Sequence, residues 1–114
     1  MRAVLLPARG NATVIELDGS VAAYHAAIGG YMEVFHTRVT RDPMDSVIGL
    51  CDEDGWRGTP IANVWSPYVS NRAHTIAGNI LLVRAAPDGD FVSLTDDDIA
   101  DINAMLPYAQ IVIG

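Results

Sequence analysis

The sequence predicts an α+β fold: a single domain over residues 1–114, with a largely antiparallel sheet and two helices packed on one face. Three observations carry this. Short apolar, β-branched runs alternate with Gly- and Asp-rich turns. Two segments combine a helix cap with apolar spacings of three and four. The run Ile80-Leu81-Leu82-Val83 is apolar at every position, as in a strand central to a sheet.

The elements follow in order. Arg2 to Pro7 is a short apolar strand, Gly10-Asn11 a turn, and Ala12 to Leu17 the return strand of a hairpin. Asp18-Gly19-Ser20 ends it, and Ser20 caps a helix running to about Ile28, with Val21, Tyr24 and Ile28 on one face. Gly29-Gly30 stops that helix, because glycine enters the left-handed region at low cost. Tyr31 to Thr40 alternates as a strand, and Asp42-Pro43 marks a loop. Ser46 to Cys51 is the next strand. Asp52-Glu53-Asp54-Gly55 reads as a hairpin turn, with Trp56 opening the return.

Thr59 to Arg72 has no clean period and carries Pro60 and Pro67. It reads as irregular, with one helical turn near Ser66–Val69. His74 to Arg84 is a strand, Pro87-Asp88-Gly89-Asp90 a second hairpin turn, and Phe91-Val92 its short return. Thr95 then caps the clearest helix. Asp96, Asp97 and Asp98 complement the dipole in its first turn, and Ile99, Ile102 and Leu106 share a face before Pro107 stops it. Ile111-Val112-Ile113 reads either as an edge strand or as an exposed adhesive tail.

The composition excludes several functions. Half the residues are hydrophobic, which rules out disorder, yet no apolar run approaches the ~18–20 residues that span a bilayer. The net charge is −7 and all seven basic residues are arginine. Without lysine there is no Schiff-base chemistry and no P-loop lysine. The acidic balance opposes binding to a nucleic-acid backbone or an anionic membrane, both of which need clustered positive charge. Cys51 is the only cysteine, so no intrachain disulfide forms. Met1 to Pro7 is too short for a secretory leader and is followed by Arg9-Gly10-Asn11, so a cytoplasmic location is expected.

Four segments, in order, resemble a known family. Leu17-Asp18-Gly19-Ser20, a short helix and Gly29-Gly30-Tyr31-Met32-Glu33-Val34 form the first. Leu50-Cys51-Asp52-Glu53-Asp54-Gly55 with Thr59-Pro60-Ile61-Ala62-Asn63 forms the second. Ile76 to Val83, with Gly78, is the third, and Phe91 to Ile99, with Ser93-Leu94-Thr95-Asp96, the fourth. Together they are similar to the domain of unknown function 3846 family and cover nearly the whole chain. Val64–His74 and the tail after Pro107 match nothing in it. The resemblance implies a setting, bacteriophages, plasmids and actinobacteria, and no mechanism.

Catalytic constellations are missing from the pattern. Cys51 precedes three acids, which suppress a thiolate, so it reads as a structural residue. His25, His36 and His74 lack metal-ligand spacing, and the Asp52–Gly55 turn fails as a calcium loop because Leu50 and Ile61 stand where acids are required. Asp42/Asp45, Asp88/Asp90 and Asp96–Asp98 serve turns and a cap, and no glycine-rich phosphate loop occurs. No cofactor or metal is expected, and no enzyme activity.

One stretch concentrates the residue types of binding surfaces: Trp56, Arg57, Asn63, Trp65, Tyr68 and Arg72, with Asn71 and His74 alongside. The bland reading is that the tryptophans complete the core and Asn63 bonds backbone. The leading expectation is a non-enzymatic protein from a phage or other mobile element that binds a host protein, with homo-oligomers joined through the Ile111–Ile113 edge. The alternatives are sequestration of a nucleotide-like anion by Arg57, Arg72, Asn63 and the tryptophans, and an acidic DNA mimic acting against restriction proteins.

Overall fold

Strand pairing organises the molecule. The structure, a computed structural model, describes residues 1–38, 46–71, 74–106 and 112–113; Arg72 and Ile111 lie outside them. The elements are β1 (Arg2–Leu6), β2 (Thr13–Glu16), α1 (Val21–Ile28), β3 (Met32–His36), β4 (Ser46–Asp52), α2 (Ser66–Val69), β5 (Ile80–Ala85), β6 (Phe91–Val92), α3 (Asp96–Met105) and β7 (Val112–Ile113). They build one sheet in the order β3-β4-β5-β1-β2-β7, with β6 also paired to β5. β1 to β6 pair antiparallel; β7 joins β2 in parallel, Thr13 opposite Val112. The fold is α+β with a largely antiparallel sheet. Of the two readings of the tail, residues 112–113 take the strand.

The two longer helices lie on opposite faces of the sheet, not on one face as expected. Val4, Leu6, Val47, Ile80 and Leu82 face α3, through Ile102 and Leu106, together with Val69 of α2. Ala3, Ile48, Leu50, Leu81 and Val83 face Tyr24 and Ile28 of α1. The reason is legible in β4 and β5. A strand apolar at every position buries both sides, so the sheet needs cover on both.

Local chemistry fixes the helices. The Ser20 hydroxyl accepts from the Ala23 N–H at 3.1 Å, and Gly29, at φ 86°, closes α1. Val21, expected beside Tyr24 and Ile28, is instead exposed at the rim of a groove lined also by Met32 and Phe91. Thr95 and Asp98 form a reciprocal capping box on α3. Asp98 also receives Nε and Nη2 of Arg84, both at 2.9 Å, tying α3 to the middle of the sheet.

Three other expectations shift. The Asp52–Gly55 turn leads into no return strand, because β3 and β5 already occupy both edges of β4. The strand expected from His74 begins only at Ile80; before it, Ala77 bridges Ala62 and Gly78 turns the chain at φ 83°. β3 ends at His36, after which Thr37 bridges Ser70.

Candidate binding cleft

The site grows from two turns that lock together. The Gly30 α-carbon lies against the Asp52 carboxylate, and a β-carbon there would stand 2.6 Å from a carboxylate oxygen. Glu53 N–H donates to Tyr31 O at 3.0 Å and Asp54 N–H to Asp52 Oδ1 at 2.9 Å. Gly55 presses on the chain before β5: a β-carbon would come within 2.5 Å of Ala77 O. Gly55 needs glycine, because the neighbour is backbone, whereas at Gly30 it is the end of a side chain.

This lock delivers Trp56 to the surface in a fixed pose. Its Nε1–H donates to Thr75 O at 3.1 Å, yet the residue stays 56% exposed. The ring walls a cleft of about 250 Å³ whose lining includes the acidic residues Glu33, Asp52 and Glu53, together with His74 and Cys51. Cys51 is buried at its floor, opposite Glu33 in the β3–β4 register. Among the described residues no group of three His, Cys, Asp or Glu could hold a metal ion, and no helix is long and apolar enough to cross a membrane.

The residues singled out from the sequence divide. Trp56 and His74 meet in the cleft. Arg57 is exposed and turns to Asp54, Nε to Oδ1 at 3.2 Å. Asn63 is only 1% exposed and serves as a clamp: Nδ2 donates to Leu6 O and Gly78 O at 2.9 and 2.8 Å, and Oδ1 accepts from Trp65 N–H at 2.8 Å. Trp65 packs on the core, with Nε1–H to Gly10 O at 3.1 Å. Tyr68 is exposed on α2, and Asn71 donates to Thr37 O. Thus the bland reading holds for Asn63 and Trp65. Sequence reasoning missed Glu33, Asp52 and Glu53 as cleft residues, having read the last two only as a turn. The alternation of β3 against β4 was the signal for Glu33.

Three of the four segments that carry the family resemblance meet here. Glu53 bonds Tyr31, Gly55 abuts Ala77, and Asn63 N–H donates to Ile76 O while its side chain reaches Gly78. Comparison with curated proteins and with solved structures finds no match. The family model described as a domain of unknown function (DUF3846) matches residues 1–107. A match over nearly the full length places this chain in the DUF3846 family.

Proposed function

We propose that this chain is a non-enzymatic binding protein of a phage or other mobile element, acting in the host cytoplasm by engaging a host protein through the Trp56 cleft. The observation that carries the reading is the Trp56 ring itself. It is more than half exposed, pinned by a hydrogen bond, and set beside a concave acidic surface. An aromatic ring held rigid in the free protein loses little entropy on docking, which is why such residues dominate interface energetics. The mobile-element setting draws on the family resemblance, and an actinobacterial host fits the all-arginine basic set.

The nucleotide-like alternative finds less support, since the cleft lining includes the carboxylate side chains of Glu33, Asp52 and Glu53. Self-association through the 111–113 edge is a companion proposal, supported by β7 standing outermost beyond β2. Light scattering tests it, and a monomer at high concentration counts against it.

Affinity capture from host lysate tests the main reading with three baits: wild type, Trp56→Ala and Tyr68→Ala. The expected result is one partner in near-stoichiometric amount on wild type and Tyr68→Ala, lost on Trp56→Ala. The same proteins on all three baits, or no stoichiometric partner on wild type, would overturn it.

A further inference from the structure

We infer that the groove between α1 and the β5–β6 turn is a second protein-docking surface, one that takes a partner segment carrying an apolar side chain between basic ones. The inference stands apart from the Trp56 reading, because the groove lies on the other face of the sheet. Tyr24, Met32 and Phe91 pack with Leu50 and Leu81 on the α1 side, whereas Cys51 and Ile76 of the cleft pack with Val69 and Ile80 on the α3 side.

The groove encloses about 460 Å³. Its floor is aromatic: the Tyr24 and Phe91 rings meet edge to face, centroids 5.5 Å apart, and Met32 extends it. Val21 and Val92 stand beside them with 58% and 36% of their surface exposed. Local structure requires neither valine. The Ser20 hydroxyl caps α1 whatever side chain follows it, and β6 pairs Val92 with Arg84 through the backbone. Held in water, the two valines gain nothing from burial; an apolar side chain docked between them supplies that gain.

Each bank of the groove is an acidic turn. On the α1 bank Gly19, at φ 80°, follows Asp18; on the other Gly89, at φ 89°, stands between Asp88 and Asp90. All three aspartates are exposed. Local bonds orient two of the carboxylates: Asp18 accepts the Ser20 N–H at 2.8 Å, and Asp88 accepts the Asp90 N–H at 3.0 Å. Asp18 also lies near the floor, where burial first and then its charge raise the pKa of the Tyr24 phenol. Carboxylates on both banks of an apolar floor select a partner with basic groups on either side of an apolar one. A second copy of this chain fits poorly, since a two-fold contact would set the same aspartates against each other.

The test pans the intact protein against a random linear peptide library displayed on phage, with Val21→Glu as the counter-selection bait. Val21 is exposed in the first turn of α1, where an acid suits the helix dipole, so this variant should keep the wild-type Tm. Enriched peptides should carry an apolar residue flanked by Arg or Lys. By fluorescence anisotropy, the leading peptide should bind Val21→Glu about tenfold more weakly than wild type, because the docked apolar group then meets a carboxylate. Asp88→Asn combined with Asp90→Asn keeps the side-chain oxygen that accepts the Asp90 N–H. It should weaken binding about threefold and flatten the salt dependence. Trp56→Ala should bind as wild type does. The inference is overturned if no peptide prefers wild type over Val21→Glu, if the enriched peptides lack basic residues, or if affinity ignores the paired Asn changes. Loss on Trp56→Ala alone would move the contact to the cleft, overturning this inference and leaving the other standing. A wild-type dimer that Val21→Glu dissolves would give the groove to a second copy and overturn the partner segment.

Discussion

Neutralising Asp98 tests how α3 is attached to the sheet. Its side chain is 6% exposed and accepts two 2.9 Å hydrogen bonds from Arg84, whose own side chain is 24% exposed, plus the Thr95 N–H at 2.8 Å. Burial alone would raise the Asp98 pKa. The hydrogen bonds from Arg84 and Thr95 and the guanidinium charge outweigh it and hold the carboxyl below its ordinary value. Breaking a buried pair from one side costs ~3–5 kcal/mol, and the partial exposure of Arg84 puts this one near the lower end. For a chain of this length ~4 °C per kcal/mol is reasonable, so Asp98→Asn should lower Tm by roughly 12 °C. Asp96→Asn is the control. Its carboxylate binds Arg2 at 2.8 Å but is almost fully exposed, so the change should cost under ~1 kcal/mol.

The pH dependence follows from the same pair. With the folded pKa depressed, the carboxylate's contribution is complete above the unfolded value, about 3.9, and is lost as pH falls through the folded value. Urea melts of wild type and Asp98→Asn should therefore differ most at neutral pH and converge in acid. Equal stability of the two proteins at pH 7, or a gap that widens on acidification, would refute the argument.

Gly49→Ala should destabilise by ~1–3 kcal/mol, since a β-carbon there would stand 2.2 Å from the Phe35 Cζ, and Phe35→Leu should recover part of the loss in thermal melts. Asn63→Ala should cost at least ~2 kcal/mol in urea melts, because it strips hydrogen bonds from Leu6 O, Gly78 O and Trp65 N–H in a buried site. Trp56→Phe should leave stability within ~1 kcal/mol of wild type while removing most of the acrylamide-quenchable fluorescence, since Trp65 packs on the core.

Much of the fold was legible because local chemistry and tertiary structure agree. Ser20 and Thr95 cap where caps were expected, Ile80–Val83 is central, and the single turn of α2 falls at Ser66–Val69. What failed was non-local. Asp52-Glu53-Asp54-Gly55 is a sound hairpin signal, but the edges of β4 go to strands distant in sequence, and no local pattern records that competition. The expectation of both helices on one face fails because the two-sided apolar character of β4 and β5 calls for cover on both. For the site, residue type marked the Trp56 region but could not separate the exposed Trp56 from the core-packed Trp65. That difference arises from contacts with Thr75 and Gly10, far along the chain. Glu33 was hidden because its role depends on standing opposite Cys51.

The position of β1 has a consequence for biosynthesis. It lies between β2 and β5, with Val4 opposite Leu82, and Leu94 N–H donates to Arg2 O. A ribosome adding ~5–20 residues per second needs several seconds between releasing Leu6 and releasing Ala85. Through that interval the nascent hairpin shows Val4 and Leu6 on one side and Ala3 and Leu5 on the other, with one ladder unmet. Newly made chains thus wait as a half-paired ribbon with both apolar faces uncovered, and the molecule closes only when its late strand arrives to receive the first.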